Sequence, residues 1–224
     1  NQEYAVLNPS IGLSYSIADK HRLFVNFSTS FETPTLSELS ANPSGGEGLN
    51  LNLDPSKAIN YEFGWKKQNS SGYIEATTFY IQSSNEILPY EIEAFPGRSF
   101  YQNFGATTRY GLEVAAAYKF NKWGFQGSLT QAEYKFNEQN KDLNTDPKSL
   151  PGIPNSQIFL QFDYSTISNW KLIFSAEQIG RFYANNSNSV EIKSFQKVRL
   201  QGQKTVELPW VDFDLFGGVN NLLN

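Results

Sequence analysis

Apolar and polar residues alternate with period two along most of the chain, the mark of strands whose two faces meet different surroundings. Ile11, Leu13, Tyr15 and Ile17 interleave with Gly12, Ser14, Ser16 and Ala18, and after residues 19–22 the alternation resumes through Leu23, Val25, Phe27, Thr29 and Phe31. The pattern predicts a hairpin. A second is predicted from Ile59, Tyr61, Phe63 and Trp65, through a turn at 69–72, into 73–81, where apolar residues fall on both parities and leave the facing open. The third runs from Tyr110, Leu112, Val114, Ala116 and Tyr118 across Asn121 and Lys122 into Trp123, Phe125, Gly127 and Leu129. The fourth pairs Ile158, Leu160, Phe162 and Tyr164 with Trp170, Leu172, Phe174 and Ala176. The fifth pairs 195–206 with 211–215 around Glu207, Leu208 and Pro209.

The connections between hairpins are long, at 32–57, 82–106, 137–156 and 184–193, so short and long links alternate. In a meander, alternate links emerge at opposite ends, which puts tight turns at one rim and long loops at the other. Outer-membrane barrels have this asymmetry; a soluble sandwich can show it by chance. All four tryptophans sit beside short turns, and Trp65, Trp123 and Trp170 share the apolar parity of their strands, as an aromatic belt at a periplasmic interface requires. Trp210 shares parity with Asp212 and Asp214, so it belongs to the turn or faces inward. Phe31, Tyr110 and Phe182 are placed for an upper belt. The fold class expected is all-β: an antiparallel up-and-down transmembrane β-barrel, here a partial barrel of about ten strands.

Composition narrows the chemistry. The chain has no cysteine, no methionine and one histidine, which excludes thiol chemistry and disulfides within it. A formal charge of −4 gives no basic surface for a nucleic-acid backbone. Mean hydropathy is −0.45, and no run approaches the ~20 apolar residues of a spanning helix. Neither fact opposes a barrel, whose strands cross in ~9 to 11 residues and average out as hydrophilic. Residues 1–10 carry no export signal, so either a signal has been removed or the chain starts within a longer protein. With His21 alone in a short turn, neither a Ser/His/Asp arrangement nor a histidine metal site can be assembled, and no enzyme or cofactor is expected. Glu138, Asp142 and Asp146 form either a solvated acidic loop or a calcium loop. Gly45, Gly46 and Gly48 lack the strand-to-helix setting of a phosphate cradle and suit a mobile loop.

Several short motifs resemble those of TonB-dependent outer-membrane receptors, in that family's order. They are Leu7-Asn8-Pro9 before Leu13-Ser14-Tyr15; Phe31-Glu32-Thr33-Pro34-Thr35-Leu36-Ser37-Glu38-Leu39; Leu53-Asp54-Pro55 with Asn60-Tyr61-Glu62-Phe63-Gly64; Asn103-Phe104-Gly105 with Arg109-Tyr110-Gly111-Leu112-Glu113; Leu150-Pro151-Gly152-Ile153-Pro154; and Gly218-Val219-Asn220-Asn221-Leu222-Leu223. The resemblance implies the C-terminal part of a barrel of about 22 strands with a plugged lumen, with the plug domain and the closing strand outside residues 1–224. It implies a nutrient importer in the bacterial outer membrane, energised by the TonB complex, with the ferric-siderophore or similar metal-chelate branch nearest. It also implies that Glu62 and Glu113 hold arginines of the N-terminal plug. Independently, both glutamates fall on the polar parity of their strands, where a covered carboxylate needs a cation, and Arg109 and Lys66 are the cations nearby in sequence. The bland alternative is two polar residues lining a wet channel.

Tyr90, Arg98, Phe100 and Tyr101, in the second long link, are candidate cargo contacts because arginine and aromatic groups suit flat anionic ligands; ordinary loop anchoring is the simpler reading of them. The partners expected are the plug, the TonB complex, a ferric chelate or other small nutrient, and outer-membrane lipid. The rival function is a passive porin or structural barrel in which inward carboxylates tune selectivity; a soluble sandwich is third.

Overall fold

The computed structural model describes residues 4–44, 48–137 and 149–223. Its strands are β1 (Ser10–Ala18), β2 (His21–Glu32), β3 (Ser56–Asn69), β4 (Gly72–Glu91), β5 (Ser99–Phe120), β6 (Trp123–Phe136), β7 (Ser156–Ser165), β8 (Trp170–Ile179), β9 (Phe182–Tyr183), β10 (Glu191–Ile192), β11 (Phe195–Leu208) and β12 (Val211–Val219). Ten of them form one antiparallel sheet in the order β1-β2-β3-β4-β5-β6-β7-β8-β11-β12, while β9 and β10 pair separately. The sheet is open at β1 and β12, a partial barrel, and all five predicted hairpins are present.

The tight turns explain their residues. Lys20, Asn121 and Asn169 hold positive φ of 66°, 51° and 58°, a region asparagine tolerates better than most side chains. At the β3–β4 turn the Asn69 side-chain oxygen accepts from the backbone N–H groups of Ser71 and Gly72, both at 2.9 Å. The fifth turn is shorter than the sequence pattern predicts: β11 continues to Leu208, leaving Pro209 and Trp210 at the tip. Trp210 is thus a turn residue, 92% exposed.

Register carries one apolar face across the whole sheet. Leu13 is level with Val25, Val25 with Phe63, Phe63 with Thr78 and Thr78 with Leu112. The same face continues through Val114, Leu129 and Ile158, and through Phe162, Phe174, Leu200 and Val219. Register also settles β4, which was ambiguous because Phe79 and Ile81 put apolar groups on the polar side: Ile74, Ala76, Thr78 and Tyr80 share the apolar face. Trp65, Trp123 and Trp170 lie on that face beside the short turns, with the Trp123 and Tyr164 rings 4.5 Å apart. Phe31 and Tyr110 share it near the long links, whereas Phe182 belongs to the separate β9.

The second long link departs most from the pattern. Residues 82–106 read as loop, but β4 runs 20 residues to Glu91 and β5 runs 22 from Ser99, so only 92–98 connect them. Beyond Ser84 and Thr107, where β3 and β6 end their pairing, the two strands continue alone as an arm. Alternation fails there because it records two different surroundings, and a strand clear of the sheet has neither. The buried core lies at this end: Phe104, Phe136 and Leu150 pack together, the two rings 4.8 Å apart, with Leu88 and Tyr134 against them. The first long link carries a short helix, α1 (Leu36–Ser40), closed by a capping box in which Thr35 and Glu38 satisfy each other's backbone N–H groups. Residues 184–190 form the tip of the β9–β10 hairpin. Glu138, Asp142 and Asp146 lie outside the described residues, as do Gly45 and Gly46.

Candidate functional site

Glu62 and Glu113 stand on the polar face of adjacent hairpins. Glu62, on β3, is level with Asn26 on one side and Phe79 on the other. Glu113, on β5, is level with Thr77 and Thr130. Because Phe79 is level with Gly111, Glu113 lies two strands across and two residues along from Glu62, about 12 Å between Cα atoms by strand spacing and rise. Asn26 Nδ2 donates to Glu62 Oε2 at 3.0 Å, which fixes one oxygen of a half-buried carboxylate. Glu113 is exposed. The neighbouring cations are committed elsewhere: Lys66 Nζ meets Glu75 at 3.0 Å, and Arg109 is bonded to Glu86. Among the described residues neither Glu62 nor Glu113 has an ion-pair partner. Solvated carboxylates cost little; the same groups under a protein domain would each cost several kcal/mol without a cation.

The glycines flanking these glutamates have packing reasons. A Cβ at Gly64 would stand 2.2 Å from the Phe24 ring, and one at Gly111 would stand 2.5 Å from Ala132 Cβ. Gly64 thus leaves room for the Phe24 ring, and Gly111 lets the β6 backbone at Gln131 and Ala132 approach closely.

Towards the arm the polar face becomes a cavity of about 530 Å³, with Glu32, Glu38, Glu86 and Arg109 among its lining. Asn85, at φ 57°, interrupts β4 and brings Glu86 onto the side of Thr107 and Arg109. Thr107 Oγ1 donates to Glu86 Oε1 at 2.8 Å, and Arg109 Nη2 donates to the same oxygen. The buried Arg109 Nε has no acceptor among the described residues. Glu86 escaped the sequence reading because its segment read as loop; Arg109 was legible only as a neighbour of Glu113.

Three of the candidate cargo contacts gather at the arm. The Arg98 guanidinium lies over the Phe100 ring at 5.1 Å and over Phe95 at 6.0 Å, and Tyr90 meets Phe100 at 6.2 Å. Phe100 has no exposed surface, so it anchors the arm rather than facing solvent, while Arg98 is exposed. Tyr101 stands apart from that cluster, its carbonyl accepting from Asn50 Nδ2 at 3.3 Å. One residue with no assigned role ties the region together. Asn103 Oδ1 accepts from Asp54 N at 2.7 Å, and its Nδ2 donates to Asp54 O at 2.7 Å and Asn85 O at 2.9 Å. The 184–190 segment also docks here, through Asn186 on the Pro89 carbonyl at 3.4 Å and Asn188 on Ser149.

Elsewhere, the His21 ring rests beside Trp65 at 5.7 Å, and no group of three or more His, Cys, Asp or Glu among the described residues is arranged to hold a metal.

Comparison with known proteins gives these features a context. Residues 1–222 match the family model described as TonB dependent receptor-like, beta-barrel. The vitamin B12 transporter BtuB of Vibrio vulnificus (strain CMCP6) is 29% identical over 126 residues, covering 56% of this chain and 18% of its own length. The iron transporter FrpB of Neisseria meningitidis superposes over 97% of this chain and 35% of its own, at 15% identity and a TM-score of 0.73. The ferric-catecholate import receptor Fiu of E. coli K12 does so over 95% and 30%, at 22% identity and a TM-score of 0.71. The chain therefore spans about a third of the length of these structures.

Proposed function

The chain belongs to the TonB-dependent receptor β-barrel family, whose members are bacterial outer-membrane proteins, and we propose that the protein containing it actively imports a ferric siderophore or similar metal chelate using energy from the TonB system. The observation that carries this reading is the joint one: a family match over nearly the whole chain, and a polar face whose two central glutamates have no ion-pair partner among the described residues. A domain seated in the lumen, presenting arginines to Glu62 and Glu113, would meet both needs at once. The apolar face then meets lipid, the short turns face the periplasm, and the arm with its docked loops faces the exterior where cargo arrives.

In this reading the barrel wall is scaffold and counter-charge, and the exposed Arg98 belongs to the capture surface. The cavity at Glu86 and Arg109 opens between that surface and the lumen, on the path cargo would take. A corrinoid is the second cargo reading, favoured by the sequence similarity to a vitamin B12 transporter. Abundance of the full-length protein in outer-membrane fractions of its host, iron-replete against iron-starved, separates the two. A rise of several-fold on starvation supports ferric-chelate import. Unchanged abundance in that fraction moves the cargo to the corrinoid class, and absence from it overturns the function.

A further inference from the structure

The polar face changes sign towards the short turns. Asn26 and Glu62 lie level on β2 and β3, and four residues along the same two strands Arg22 lies level with Lys66, about 14 Å away by strand rise. Like charges directly opposite on one face repel, so this pairing opposes the sheet unless an anion sits with them. Lys66 has one: its Nζ meets Glu75 at 3.0 Å and lies 5.4 Å from the centre of the Tyr73 ring. Arg22 is exposed, and no carboxylate is within ion-pair distance of it among the described residues. Ser16, level with Arg22 on the β1 side, offers a hydroxyl but no charge. These groups line a cavity of about 370 Å³ together with Gln68 and with Lys20, which the β1–β2 turn holds at φ 66°. Three cations, one of them already paired, thus meet at one space.

We propose that this patch docks an acidic segment of the domain that fills the lumen, a carboxylate of which takes the guanidinium of Arg22. The contact rests on the lumen-filling domain proposed above and adds the chemistry which that domain must carry at its periplasmic end. A layer that covers Glu62 and continues along β2 and β3 towards the short turns meets Arg22 next, and a covered guanidinium needs an anion as firmly as a covered carboxylate needs a cation. The planar fork of arginine accepts a carboxylate in two parallel hydrogen bonds, and the Ser16 hydroxyl and Gln68 amide line the same space. The docked surface therefore runs from cationic, opposite Glu62 and Glu113, to anionic, opposite Arg22. Such a reversal fixes the height at which the domain seats, because a shift along the strands sets like charges against each other.

The test is zero-length carbodiimide cross-linking of the full-length receptor, purified from the outer-membrane fraction in mild detergent, with the linked peptides read by mass spectrometry. The reagent joins a lysine amine to a carboxylate in ion-pair contact, so Lys66 should link to Glu75 in every variant as an internal control. Arg22→Lys should link, through position 22, to an Asp or Glu of the lumen domain. Arg22→Gln should speed hydrogen exchange of the segment carrying that carboxylate by roughly tenfold, and Lys67→Gln, on the opposite face of β3, should leave it unchanged. A link from position 22 to a co-purified protein, or to no carboxylate while Lys66 still links to Glu75, overturns the contact, as does equal exchange in Arg22→Gln and wild type. Should both Arg22 variants fail to assemble, wild-type Lys20 decides: a link to a lumen-domain carboxylate supports the docking and its absence overturns it. A full-length receptor with no domain in its lumen defeats the functional reading and the contact together, whereas a lumen domain present but unlinked defeats the contact alone.

Discussion

Asn103 satisfies three backbone groups with one side-chain amide, joining the first long link at Asp54 to β4 at Asn85. Both ends of that clasp fall in short motifs visible in the sequence, Leu53-Asp54-Pro55 and Asn103-Phe104-Gly105, yet nothing in either motif announces that they bind each other. Sequence shows which residue types recur in a pattern; contacts between distant loops come from the fold. Asn103→Ala should lose about 2 to 3 kcal/mol of local stability, at roughly 1 kcal/mol per hydrogen bond, seen as faster hydrogen exchange at residues 48–55 with the barrel strands unchanged. Uniform protection of that segment would show that Leu53 burial alone holds it. Glu62 and Glu113 pose the opposite case, legible on the polar parity of their strands but without an ion-pair partner among the described residues. If plug arginines cover them, Glu62→Ala with Glu113→Ala leaves buried cations unpaired, at about 3 to 5 kcal/mol each. The full-length double variant should then admit large antibiotics to which wild-type cells are resistant; unchanged permeability would return the pair to ordinary channel lining.

At the scale of elements, legibility follows the surroundings. Strands of the ten-stranded sheet are readable because one face is apolar across the whole sheet and the other is polar, which forces period two. The arm was hidden, since its residues pack on loops and on one another: Phe104 against Phe136 and Leu150, Phe100 against Phe95 and Tyr90. Glu86 was lost with it, because the positive φ of Asn85 sets the parity that a sequence pattern cannot reveal. Since the arm receives the first link and the 184–190 segment, it organises the long-link end of the sheet. Replacing residues 86–104 by a two-residue turn should leave the barrel assembled, judged by heat-modifiable migration in gels, while cargo binding falls by roughly two orders of magnitude through loss of the organised loops. Retained binding would place the cargo site wholly elsewhere. Phe100→Ala is the gentler form: a cavity in place of a fully buried ring costs about 3 to 5 kcal/mol and should expose 92–98 to proteolysis.

The whole molecule is a sheet with two open edges, β1 and β12, and one apolar face without a covering layer. Such a sheet is stable only when continued by further strands and bathed in lipid or detergent. Residues 1–224 expressed alone should form sheet-rich aggregates in aqueous buffer; a monodisperse soluble product would favour the sandwich architecture instead. The most direct test of the central claim is uptake of radiolabelled iron from a panel of ferric siderophores by cells expressing the full-length receptor, with and without a protonophore. Accumulation of at least one chelate that depends on the receptor and collapses with the protonophore is the predicted result. Receptor-dependent entry that persists with the protonophore would make the protein a passive barrel and contradict the account.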